Sequence, residues 1–116
     1  MTDEEDTAGR DVPDDLLEVL DAVAAMLNPV ALREVHEGVL RWSVNGQGIV
    51  TWSRGSVSFR VGPDIGAAAM NTPDAAPSTL GRDWVAFSPV NLDSHARDRI
   101  GAWFAAAHRR VATTSR

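Results

Sequence analysis

The sequence predicts an α+β domain: an antiparallel β-meander sheet of four or more strands packed against N- and C-terminal helices. Three observations predict it. Apolar residues recur at spacings of three and four near both ends of the chain, over 16–27 and 92–111. Between them, much of 40–61 alternates apolar and polar residues with the period of a half-buried strand. That alternation is interrupted at Asn45-Gly46-Gln47-Gly48 and at Arg54-Gly55, where glycine and asparagine suit tight turns. With 116 residues and 44% apolar content, one domain spanning 13–112 accounts for the chain, with 113–116 as a short tail.

The elements follow in order. Pro13-Asp14-Asp15 suits a helix start, since proline lacks a donor that the first turn would leave unpaired and acids favour the positive end of the helix dipole. Leu16, Leu17, Leu20, Ala24 and Leu27 then form one apolar stripe. Asn28-Pro29 interrupts it, and a shorter helical piece is expected through Ala31, Leu32 and Val35. Leu40, Trp42 and Val44 define a strand, Val50 and Trp52 a second, and Val57, Phe59 and Val61 a third. Pro63 opens a short helix through Ile65 to Met70. Pro73 and Pro77 force an extended connection to a fourth strand at 84–88. Leu92, Ala96, Ile100, Trp103, Phe104, Ala107 and Val111 fall on one side of a final helix, with Asp93 or Ser94 available as its cap.

Charge is distributed unevenly. Residues 1–21 hold nine acids and one arginine, a net of −8, whereas the remainder holds seven acids and ten arginines, a net of +3. The segment 1–12 is expected to be a disordered acidic arm, because its residues bury too little apolar surface to offset chain entropy. Every base is arginine, which together with abundant alanine suggests a GC-rich genome. No cysteine is present, so disulfides, thiolate nucleophiles and cysteine-based zinc sites are excluded. The start MTDEED is unlike a signal peptide, and no apolar run approaches the roughly 18 residues of a membrane span, so a cytoplasmic location is expected.

Residues that could carry chemistry are few. His36, His95 and His108 lack a second histidine at ligand spacing, and they read as surface residues. Glu34 and Glu37 flank His36 but read as facing solvent on the second helical piece. There is no G-x-S-x-G elbow, no nucleotide-binding glycine pattern and no lysine for a phosphate loop. The expectation is therefore no enzyme, no catalytic residue, no metal and no cofactor.

Two alternatives remain on the residues themselves. Arg97, Arg109 and Arg110, with His108 and Arg116, give the final helix a basic side that suits nucleic-acid phosphates, against an acidic pI of about 5.0. Trp42 and Trp52 share the parity of their aliphatic neighbours, which points to a core role; a ligand-facing role in a small-molecule site is the other reading.

The run from Val57 to Trp103 resembles the second half of the N-terminal domain of TfoX-type competence regulators, which belong with the MmcQ/YjbR-like α+β proteins. The similar features are a strand ending Arg60-Val61, a Gly62-Pro63-Asp64 start to an alanine-rich helix, the connector Pro73-Asp74-Ala75-Ala76-Pro77, Gly81-Arg82, a Trp84-Val85 strand and a closing amphipathic helix. Where that family has Met-Phe-Gly-Gly before its meander, this chain has His36-Glu37-Gly38-Val39. The Trp-Val strand before a helix is also similar to the ending of small luciferase-like domains. The first resemblance implies a bacterial regulatory module with no catalytic residue. Together these readings lead to a non-enzymatic cytoplasmic module acting by binding a protein partner or by self-association.

Overall fold

A computed structural model describes residues 16–114, and in it six strands form one antiparallel sheet in the order β1-β2-β3-β4-β6-β5. A first helix, α1 (16–26), precedes β1 (Leu32–His36), β2 (Val39–Val44), β3 (Gln47–Ser53) and β4 (Ser56–Phe59). Then come α2 (Pro63–Ala69), β5 (Ala75–Pro77), β6 (Val85–Phe87) and α3 (Ser94–Thr114). The acidic segment 1–12, the helix start at Pro13 and Arg116 lie outside the described residues.

Three two-residue turns build the meander. Glu37-Gly38, Asn45-Gly46 and Arg54-Gly55 all have positive φ at both positions, between 54° and 81°. That is the hairpin turn whose twist matches the flanking strands. The first of these turns was not anticipated, and it replaces the expected helical continuation through Ala31, Leu32 and Val35 with strand β1. Leu32 and Val35 stand three apart, which mimics helical spacing. The chain is already turned back before them, because Leu27 and Ala31 both donate backbone hydrogen bonds to the Ala24 carbonyl, at 3.4 and 3.2 Å. Residues 32–36 then satisfy alternate backbone groups by pairing with β2, from Leu32 opposite Ser43 to His36 opposite Val39. The connector 73–77 likewise contains a strand, β5, which pairs Ala75 with Phe87 and Pro77 with Val85.

The inner face of the sheet carries two cross-strand rows. One runs Val35, Leu40, Trp52, Val57, Phe87, Ala75; the other runs Arg33, Trp42, Val50, Phe59, Val85, Pro77. Both α1 and α3 cover this face. Leu16, Leu20 and Ala24 from α1 meet Ala96, Ile100, Trp103, Phe104, Ala107 and Val111 from α3 in a single core. The register shifts between Trp42 and Ser43, because Trp42 opposes Val50 while Ser43 opposes Gly48. Ile49 is thus the extra residue of a β-bulge, and consecutive Ile49 and Val50 are both fully buried.

Aromatic rings tie sheet to helix. Phe104 packs edge-on against Trp42 at 6.1 Å and Phe59 at 6.2 Å; Trp103 does the same with Phe59 at 6.0 Å and Phe87 at 5.2 Å. Each such pair adds about 0.5–1.5 kcal/mol beyond the area it buries. The Trp42 indole N–H also donates to Asp21 Oδ1 at 3.3 Å, and the other oxygen of Asp21 accepts from Arg33 at 2.6 Å. Asp21 therefore clasps α1 to both β1 and β2. At the other end, Asp93 caps α3, accepting the Ala96 N–H at 2.9 Å.

His108 is not at the surface. It is 6% exposed on α3, and its Nε2 lies 2.8 Å from the Pro29 carbonyl, so that nitrogen is the donor. The imidazole links α3 to the segment between α1 and β1, and it does not belong to a basic helix side.

Replacing Trp42 with alanine is expected to cost about 3–5 kcal/mol through the cavity it leaves. Asp21→Ala is expected to cost about 1–2 kcal/mol, most of it from the part-buried indole bond, since the exposed ion pair contributes little. Urea denaturation measures both, and an unchanged midpoint for Asp21→Ala would mean that the leucines of α1 alone hold it down.

Candidate functional site

The site with the clearest physical signature is the outer edge of β1. A two-residue turn makes the flanking residues a hydrogen-bonded pair, so His36–Val39, Glu34–Arg41 and Leu32–Ser43 exchange bonds within the hairpin. The N–H and C=O groups of Arg33 and Val35 consequently point away from β2. Among the described residues no strand lies beyond them, and all five residues of β1 are exposed.

The charges on this strand are engaged with the body of the protein. Arg33 is paired with Asp21. Arg41 Nη2 lies 2.8 Å from Glu34 Oε2, which also accepts from Ser43 at 3.4 Å. The hydrogen bonds from Arg41 and its positive charge hold the Glu34 carboxyl below the usual carboxylate range. Besides His36, what the edge presents outward is apolar. Leu32 and Val35 are each 67% exposed, and with Met26 (81%) and Val30 (48%) they place four exposed large apolar side chains between positions 26 and 35. The opposite edge is treated differently. There β5 is three residues long, ends in Pro77, which has no N–H, and is flanked by α2.

The residues singled out from the sequence do not converge. Trp42 is fully buried between the sheet and the helices. Trp52 is half-buried in the inner row, packed against the core, with its Nε1 enclosed and lacking a hydrogen-bond partner. Arg97 and Arg109 are exposed but stand twelve residues apart on α3, about 18 Å along its axis. Arg97 donates to the Leu92 carbonyl at 3.3 Å, and Arg110 lies 3.7 Å from Asp83. Arg110 also lies over Gly62, where φ is 99° and where a Cβ would collide with the guanidinium. Glu34 and His36 lie on β1 and Glu37 in the turn after it; no helix carries them. His95, in the first turn of α3, is about 20 Å along that helix from His108.

A second surface was not anticipated either. A cleft of about 450 Å³ opens between α2 and the 77–84 segment, with Pro63, Met70, Pro77, Arg82 and Trp84 in its walls. Among the described residues there is no group of three or more histidines and acids that could hold a metal ion, and no helix long and apolar enough to cross a membrane. The sequence signals that could have revealed the β1 edge are the Glu37-Gly38 dipeptide and the opposite charges of Glu34 and Arg41, mirrored about it. No family model, no curated protein and no solved structure matches the chain, so the resemblance to TfoX-type domains stands on the residues quoted for it.

Amide exchange in dilute solution, read residue by residue by NMR, is expected to alternate along β1. Arg33 and Val35 exchange fast, while Glu34 and His36 are protected. Equal protection of all four would show that the edge is already covered.

Proposed function

We propose that this chain is a cytoplasmic, non-enzymatic interaction module that binds a protein partner by adding a strand to β1. The observation that carries the reading is an unpaired sheet edge whose Arg33 and Glu34 are partly offset by Asp21 and Arg41 while Leu32 and Val35 remain exposed. An edge strand offers a partner a row of backbone donors and acceptors, and alternate side chains supply the selectivity. Exposed charge normally deters such pairing, but an arginine and a glutamate already held in ion pairs deter it less. Leu32 on the outer face and Val35 on the inner face add apolar area on either side of the backbone row, as the core of an interface requires.

The regulatory role implied by the TfoX resemblance agrees with this reading, since such a role needs a docking surface and no reacting group. The arginines of α3 support nucleic-acid binding less well. Arg97 and Arg109 are far apart, and Arg110 is partly neutralised by Asp83, whereas phosphate binding gains from clustered charge.

The test is photo-crosslinking in cells from a benzophenone side chain placed at position 35. Adducts from position 35, with none above background from position 76 on the opposite edge strand, are the expected result. Absence of adducts from position 35 overturns the reading. Nuclease treatment before analysis excludes a nucleic-acid tether.

A further inference from the structure

Resting on the reading of β1 as the contact edge, we propose that its occupant is a second copy of this chain, paired antiparallel through β1 about a twofold axis at Val35. An antiparallel pair related by a twofold axis keeps the two inner faces on the same side, so residues directly opposite each other must come from the same face. That leaves three registers within the strand, centred on Arg33, Glu34 or Val35. The first sets Arg33 against Arg33 of the other copy, and the second sets Glu34 against Glu34. Like charges directly opposite destabilise a strand pair, and the solvent-exposed ion pairs with Asp21 and Arg41 offset these charges only in part.

The third register sets no like charges opposite each other within the strand. Val35 opposes Val35 of the second copy. On the outer face Glu34 opposes His36 of the second copy, twice by symmetry. The backbone agrees, because Val35 is one of the residues whose N–H and C=O point outward, and two such residues opposite each other form a hydrogen-bonded pair.

Packing points the same way. The inner row Phe87, Val57, Trp52, Leu40 reaches the edge of the sheet at Val35, which is 67% exposed. In the Val35-centred register the row continues through the second Val35 into its symmetry mate, giving one apolar ribbon across a continuous sheet. The other two registers interrupt it with Arg33.

The chain contains no cysteine, so single-thiol variants of the full chain report the register cleanly. In a hydrogen-bonded antiparallel pair opposing Cα atoms are about 5.5 Å apart, within reach of a disulfide. Val35→Cys is therefore expected to form a disulfide-linked dimer under mild oxidation. Leu32→Cys is as exposed, but its two copies would stand about 20 Å apart and are expected to stay unlinked. In sedimentation, the unmodified chain is expected to double its mass with concentration. Val35→Lys, which sets two ammonium groups together at an already exposed position, is expected to remain monomeric with unchanged circular dichroism. A chain monomeric up to millimolar concentration, a dimer indifferent to Val35→Lys, or linkage through position 32 equal to that through 35 overturns the inference. Crosslinks from position 35 to a different protein alone would sink the second copy while leaving the edge reading in place.

Discussion

The structure depends on enclosing one indole. Trp42 lies where α1, α3 and the sheet converge, and each contributes a different interaction: a carboxylate from Asp21, a ring edge from Phe104, and Val50 opposite it across the ladder. A side chain of that size is buried without loss only if its N–H finds an acceptor and its faces find close-packed neighbours. Those two demands bring α1 across β1 and β2, and they draw α3 over the centre of the sheet. The bulge at Ile49 belongs to the same solution. It breaks the alternation next to the Trp42–Val50 pair so that two consecutive β3 side chains enter the core.

The two faces and two edges of the sheet then have distinct characters. The inner face is hydrophobic and covered from β2 to β6, and it opens at Arg33 and Val35 of β1. The outer face carries the row Glu34, Arg41, Thr51, Ser58, Ala86, Ala76, which is polar toward β1 and small toward β5. Ser58 is nevertheless nearly enclosed, its hydroxyl 3.1 Å from that of Ser78, because the segment after β5 folds across it. The β5 edge is short and proline-ended, whereas the β1 edge is longer and keeps its outward backbone groups. Asp21 serves both regions: it satisfies the indole inside and neutralises Arg33 at the rim, so the geometry of the core also sets what the edge displays.

Most of the scaffold was legible from residue patterns, because the responsible signals are local. The leucine stripe of α1, the alternation through Leu40, Trp42, Val50, Phe59 and Phe87, the turns at Asn45-Gly46 and Arg54-Gly55, and the cap at Asp93 each sit within a few residues of what they determine. The misses are places where pairing with another segment, near or far in sequence, decides. Leu32 and Val35 have helical spacing, and only pairing with β2 makes them a strand. Ala75–Pro77 looks like connector until β6 arrives beside it. Ile49 enters the core through a register shift that its own neighbours do not announce. His108 looks like one more base on an arginine-bearing helix, yet its acceptor is a carbonyl 79 residues away. The candidate site was hidden for the same reason, since an edge strand is defined by what does not pair with it.

Chain order gives the covering of the inner face a temporal side. The three tight turns let β1 to β4 assemble from contacts of short sequence separation, soon after they leave the ribosome. The rings that close over them, Trp103 and Phe104, are translated more than forty positions after Phe59. During that interval Trp42, Val50 and Phe59 lack the cover that α3 gives them, a nascent surface of the kind that chaperones bind and that favours association between neighbouring polysomal chains.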